Sequence, residues 1–248
     1  MTQTTERQTS APWDSVLALA RREAATLKVA DLADEAGYSP FHFARRFSAH
    51  VGIGPGQYLI AMRIDAAKRM LLGAEHPVID VAAAVGFDSL SSFSRRFRQT
   101  VGVPPAELRR LAERISDHPP RPFSLTAPDE RTVRIHLDVP EELSRRGDAS
   151  IWVGWYAHPA PIGLPRSGTL TSGEQFIDLP LCDSAPFLLG FAVAPDADPR
   201  AHLTPSTPVV AAHPHPITAA GEVTLRFRAQ EDAVGIPLLS ALPSLCRR

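Results

Sequence analysis

The chain has 248 residues, 26 Lys plus Arg against 27 Asp plus Glu for a formal net charge of −1, and 44% hydrophobic residues, enough for two ordinary domains with a core each. No stretch of about 18 apolar residues is present to cross a membrane, and no basic start leads into an apolar run, so the expected location is cytoplasmic with no membrane partner. Two cysteines, Cys182 and Cys246, are too few for a disulfide framework and read as plain thiols.

Residues 1–12 are polar and expected to be a disordered tail. From Val29 to Ala36 the apolar residues Val29, Leu32, Ala33 and Ala36 fall at i, i+3, i+4, i+7, which predicts a helix ended by Gly37. Ser39 fits the cap and Pro40 the first position of a second helix, in which Phe43 and Phe47 share a face while His42, Arg45 and Arg46 point elsewhere. Gly56 to Leu72 contains no breaker and carries Leu59, Ile60, Ile64, Ala67 and Leu71 at helical spacing. It reads as a rigid connecting helix about 25 Å long. Val78 to Val85 then predicts another supporting helix, Gly86 its break, and Asp88 or Ser89 the cap of a helix running to about Thr100.

These elements form a repeat. Phe43-Ala44-Arg45-Arg46-Phe47 returns as Phe93-Ser94-Arg95-Arg96-Phe97, and Asp31, Gly37, Val51-Gly52 and Pro55 return as Asp80, Gly86, Val101-Gly102 and Pro105. Two helix-turn-helix modules at a fixed separation suit duplex DNA, which offers the same groove once per turn. Charge is distributed accordingly. Residues 1–118 hold 15 basic against 13 acidic groups, a net of +2, and residues 119–248 hold 11 against 14, a net of −3. The stretches 39–72 and 89–110 each carry five basic groups and one acid, a positive field focused on the repeat. An Arg pair alone is usually a solvated face, and Phe43, Phe47, Phe93 and Phe97 fill cores under any reading.

From about Leu19 to Leu111 the chain resembles the AraC/XylS transcriptional regulators. The resemblance rests on Gly37-Tyr38-Ser39-Pro40-Phe41-His42-Phe43, on Tyr58-Leu59, Arg63-Ile64 and Leu71-Leu72 of the connecting helix, on Gly86-Phe87 through Arg95-Arg96-Phe97, and on the closing Val101-Gly102-Val103-Pro104-Pro105-Ala106-Glu107-Leu108-Arg109. The chain departs from the family's pattern before the proline and at Leu108, where an aromatic is usual. The resemblance implies an AraC-type DNA-binding domain over residues 13–116. By position it implies base reading by Phe41, His42, Ala44 and Arg45 in the first unit and by Leu90, Ser91, Ser92, Ser94 and Arg95 in the second. Phosphate contacts fall to Ser39, Arg46, Lys68, Ser89, Arg96 and Arg98. Arginine carries most of the expected discrimination, because its planar fork fits guanine O6 and N7.

A Pro-rich linker, residues 117–122, marks the change of composition: six of the 24 prolines precede residue 119. Residues 123–248 read as an all-β domain of strands Thr132 to Val139, Ser150 to Ala157, Gly168 to Thr171, Gln175 to Leu179, Phe187 to Val193, Val209 to Ala212 and Glu222 to Arg228. The fold class expected is therefore α + β as separate domains, a double helix-turn-helix followed by an antiparallel sandwich. This half faintly resembles prealbumin-like or carboxypeptidase-regulatory-like sandwiches, on Ile151 to Tyr156, Phe176 to Pro180 and the strand from Phe187. By the two-residue period Ile151, Val153 and Trp155 should point inward, leaving Trp152 and Tyr156 as a partly exposed patch for a ligand or interface.

Its histidines, with His213-Pro214-His215 the most metal-like, lack the spacing of a metal site, and no nucleophile elbow or phosphate loop appears. The reading is a non-enzymatic transcriptional regulator, of the activator kind in its family, without cofactor or metal. Its expected partners are double-stranded DNA, RNA polymerase and a small-molecule effector, as a monomer or homodimer. The alternative is an interaction protein whose β-domain recruits polymerase or self-associates with no effector.

Overall fold

The computed structural model describes residues 11–118, 120–125, 130–145, 147–206, 208–229 and 239–247. The tail expected over residues 1–12 lies outside them except at its end, where helix α1 (Ala11–Glu23) begins. The chain divides into two compact units, residues 1–96 and 97–248. The division falls inside the last helix of the repeat.

In the first unit α1 is followed by α2 (Val29–Glu35), α3 (Pro40–Val51), α4 (Pro55–Gly73), α5 (Val78–Ala84) and the start of α6 (Leu90–Val101). The connecting helix thus has 19 residues, two more than the spacing predicts, because Pro55 supplies a natural first position. α1 was not expected as an element. It buries Trp13, Val16, Leu17 and Ala20, and the Trp13 ring lies within 6.3 Å of Tyr38, Phe43 and Phe47. Phe47 in turn meets Tyr58 of α4 edge-on at 5.4 Å, and Phe93 meets Phe87 in the same way at 5.3 Å. The anchors Phe43, Phe47 and Phe93 are fully buried.

Among the described residues the second unit holds the end of α6, α7 (Pro105–Asp117), nine strands and a short helix, α8 (Glu141–Ser144). The strands are β1 (Phe123–Leu125), β2 (Thr132–Asp138), β3 (Ser150–Tyr156), β4 (Ser167–Ser172), β5 (Phe176–Pro180), β6 (Phe187–Val193), β7 (Val209–Ala212), β8 (Gly221–Arg226) and β9 (Arg228–Ala229). Six form one sheet in the order β1-β4-β3-β6-β7-β9, and three form another in the order β5-β2-β8. Every pairing is antiparallel except β2 with β8, which run parallel from Val133 beside Gly221 to Asp138 beside Arg226. That corrects the all-antiparallel expectation. Hairpin turns force antiparallel neighbours, but β2 and β8 are separated by most of the strand-rich half, and so long a connection permits a parallel return.

One core is shared by both sheets: Val133, Ile135 and Leu137 of β2 and Leu225 of β8 pack with Ile151, Val153 and Trp155 of β3 and Leu188 of β6. These β3 residues face inward as the alternation predicts. Their neighbours are not exposed, however. Trp152 is 1% exposed and Tyr156 3%, so neither forms the expected surface patch. Trp152 belongs to a second core with Leu170, Phe191, Val193, Leu242 and Leu245, on the outer face of the six-stranded sheet. A 3-10 segment, Leu242–Arg247, contributes two of those residues from the far end of the chain. The two-residue period separates the sides of a strand and does not say whether the second side is covered.

Candidate nucleic-acid interface

Each helix-turn-helix turn is built in the same way. At the end of α2 the Gly37 amide donates to the Asp34 carbonyl at 3.0 Å and the Tyr38 amide to Ala33 at 2.9 Å; at the end of α5 Gly86 donates to Ala83 at 3.0 Å and Phe87 to Ala82 at 3.0 Å. These paired bonds satisfy the last carbonyls of each supporting helix and require a left-handed residue, met by Gly37 at φ +68° and Gly86 at φ +82°. The two glycines differ in their surroundings. A Cβ on Gly37 would meet nothing within 4 Å, whereas one on Gly86 would fall 1.9 Å from the Ala25 carbonyl oxygen. Gly86 therefore provides a close approach between segments as well as the turn geometry expected of it.

Arg63 of α4 explains that approach. Its Nε donates to the Ala24 carbonyl at 2.8 Å, and its two terminal nitrogens donate to Leu27 and to Gly86, each at 3.0 Å. One guanidinium thus ties the loop before α2 to the turn after α5. Sequence reasoning noted Arg63 only within the family pattern; an arginine between buried Met62 and Ile64 on a connecting helix is the signal that was available.

The second helix of each unit follows. At α3 the Ser39 carbonyl accepts from the Phe43 amide at 2.8 Å, and at α6 the Ser89 carbonyl accepts from Phe93 at 3.0 Å. Ser89, of the two expected caps, is the one that closes α6, its hydroxyl accepting from the Ser92 amide at 3.3 Å. Burial then repeats residue for residue: Phe43 and Phe93, Phe47 and Phe97 are buried, Arg45 and Arg95, Arg46 and Arg96 exposed, and Ala44 and Ser94, His42 and Ser92 intermediate. Phe41 and its counterpart Ser91 are both exposed, as is Leu90 before it. Nine residues expected to read bases therefore lie at or near the surface of two equivalent helical faces.

Among the phosphate candidates, Ser39, Ser89, Arg46, Arg96 and Arg98 are exposed. Arg46 is steadied by Tyr38, whose hydroxyl accepts from it at 3.1 Å and whose ring lies 5.2 Å below the guanidinium. Lys68 is a correction. Its side chain is fully buried and cannot reach a phosphate, because the i+4 and i+7 spacing from Ile64 through Lys68 to Leu71 places it on the core side of α4. Burial pushes its pKa down to about 8, with Asp65 opposing. Burial likewise raises Asp65, against the pull of Arg69, with which it is ion-paired, and of Lys68.

In the second unit the end of α6 meets the strand-rich half. The Thr100 carbonyl accepts from the Gly163 amide at 2.6 Å and the Val101 carbonyl from Ala241 at 2.9 Å. The Leu164 side chain lies against Gly102, where a Cβ would come within 2.4 Å of it. At the end of α7 the Ser116 hydroxyl accepts from Arg200 Nε at 2.9 Å. No sequence pattern pointed to these contacts.

The remaining candidates are resolved by packing. Burial raises the Tyr156 hydroxyl well above its ordinary pKa, with Ser240 opposing. His213 and His215 close a turn, in which His213 Nδ1 lies 2.7 Å from the His215 carbonyl. Among the described residues no three His, Cys, Asp or Glu side chains are grouped to hold a metal ion, and no helix is long and apolar enough to cross a membrane. Cys182 is buried beside Ser184.

Two helix-turn-helix units with matched turns, anchors and arginines, joined by one rigid helix, define a tandem helix-turn-helix domain. Comparison with known proteins agrees: residues 32–111 match the family described as a helix-turn-helix domain. The chain is 40% identical over 92 residues to a putative AraC-like transcription regulator of Streptomyces lividans, covering 37% of this chain and 30% of that one. It is 37% identical over 87 residues to the transcriptional activator AarP of Providencia stuartii, covering 35% of this chain and 64% of that one. Among solved structures, the DNA-binding domain of AdpA, crystallised with a target DNA, is 30% identical with a TM-score of 0.40, covering 43% of this chain and 97% of that one. In its helical part the chain is similar to AraC-type regulators. It spans about a third of the length of the Streptomyces relative, and the match leaves out the strand-rich half.

Proposed function

We propose that this chain is a sequence-specific DNA-binding transcriptional regulator of the AraC type, with α3 and α6 each entering a major groove. The observation that carries the reading is the repeated face: behind two matched glycine turns, positions 41–47 and 91–97 share one burial pattern and each presents an exposed arginine, Arg45 and Arg95. The 19-residue α4 is a rod of about 28 Å, a length compatible with successive major grooves about 34 Å apart or with modest bending of the duplex. The domain arrangement that goes with this reading is a DNA-binding segment to about residue 116 and a sensing or interaction segment from about residue 123. Effector, RNA polymerase and oligomeric state belong to the same proposal. The contacts of residues 163, 164 and 241 with the end of α6 support an action of the strand-rich half on DNA reading.

The test is selection of duplexes from a random library with the full chain, followed by footprinting. Arg45→Ala and Arg95→Ala should each weaken the selected site by about 1 to 3 kcal/mol and relax base preference in different half-sites. Arg96→Ala should weaken all duplexes alike and lower the salt slope by about one. Recovery of no preferred sequence would refute the reading.

A further inference from the structure

The two reading faces have the same geometry and different chemistry. At the outermost position of the first helical turn α3 carries Phe41, 84% exposed, where α6 carries Ser91; His42 stands opposite Ser92, and Ala44 opposite Ser94. The first face thus presents an apolar ring ahead of His42 and Arg45, and the second, past Leu90, is lined with hydroxyls up to Arg95. Among the described residues the next most exposed large hydrophobic side chain is Ile79, at 59%. An aromatic ring held in water at the leading end of a helix has little use in packing, since Phe43 and Phe47 already fill the core beneath it. Arg45 lies one helical turn further along the same side, and Arg46 beside it, so whatever meets the ring also meets positive charge.

Resting on the reading above, we infer that Phe41 is a specificity-determining residue that recognises the 5-methyl group of thymine in the major groove, so that the half-site under α3 is read by apolar contact as well as by Arg45, and the half-site under α6 by the serine hydroxyls and Arg95. Thymine is the one base that presents a methyl group at that edge, and an apolar side chain discriminates it without a donor or acceptor. Ser91, Ser92 and Ser94 offer hydroxyls in the equivalent places and no apolar surface of that size. The two half-sites are therefore unlike in sequence although the helices are alike in form.

The experiment uses the full chain and the duplex it selects. Each thymine is replaced in turn by deoxyuridine, which removes only the methyl group and leaves base pairing unchanged. One or two positions in a single half-site should lose about four-fold in affinity, the value of one methyl group taken out of water. Phe41→Ser, which installs the residue of the matched position, should bind the thymine and deoxyuridine duplexes equally, while Phe41→Leu should keep part of the discrimination. Helix content by circular dichroism should be unchanged in both variants. Equal binding of thymine and deoxyuridine at every position by the parent, or retention of the difference in Phe41→Ser, overturns the inference while leaving the regulator reading intact. So does a loss in Phe41→Ser that is the same for all duplexes, which would place the ring on the backbone or on another protein. Failure to select any duplex overturns both.

Discussion

Arg63→Ala removes three donors at once and leaves the carbonyls of Ala24, Leu27 and Gly86 without the partner they share. The Arg63 contacts are partly buried, so each bond belongs at the low end for a charged donor, about 1.5 kcal/mol, and the three together at about 4 to 5 kcal/mol. Set against a usual stability of about 5 to 15 kcal/mol, this is enough to shift a urea midpoint clearly. Arg63→Lys keeps the charge and the aliphatic stem but replaces a planar fork with a single ammonium, and should recover less than half of the loss. The measurement is urea unfolding of the full chain followed by helical ellipticity. Amide exchange should also speed up in residues 24–27 and 86–87. A midpoint for Arg63→Ala within the equivalent of about 1 kcal/mol of the parent would refute the argument, as would Arg63→Lys behaving like the parent.

The matched glycines should part company: Gly37→Ala meets open space and should lose about 1 kcal/mol for its left-handed backbone, whereas Gly86→Ala also collides with Ala25 and should lose at least twice as much in thermal unfolding; equal losses would contradict the close approach. Lys68 binds its proton less tightly folded, at about 8, than unfolded, near 10.5, so the unfolded state holds more protons between those values and stability should rise with pH across that window. The rise should approach 3 kcal/mol and be missing in Lys68→Met; identical pH slopes for parent and variant in urea titrations would refute it. Trp152→Ala should destabilise the full chain by about 3 to 5 kcal/mol, because it empties the middle of the outer core. A calorimetric loss below about 1 kcal/mol would show that this face is loosely held.

Much of the helical half was legible in the sequence, since its information is local: a glycine where a left-handed turn is needed, a proline at a first helical position, phenylalanines four residues apart. Strands β2 to β8 were legible for the same reason, and Phe187–Val193 and Val209–Ala212 fall where alternation and proline turns place them, whereas the short strands β1 and β9 were not. What escaped was non-local. The cover over Trp152 comes from Leu242 and Leu245, some ninety residues further along the chain, and no window around β3 contains that fact. Lys68 escaped because a lysine is ordinarily read as surface, although its spacing from Ile64 and Leu71 already put it on the apolar face. Gly86 was read as a turn residue, and its second role depends on Ala25 and Arg63, which approach it from distant segments.

The amides of Gly163 and Ala241 that meet the last carbonyls of α6 bear on how such a protein can be recombined. A chimaera spliced at the prolines of residues 119–122, with a foreign partner in place of the strands, would keep every residue of the repeat and still hand those carbonyls back to water and strip Leu164 from Gly102. The transplantable cassette is consequently larger than the composition boundary implies. Gene fusions that preserve the end of α6 would have to carry the segments around residues 163 and 241 along with it, or supply equivalents of their two amides.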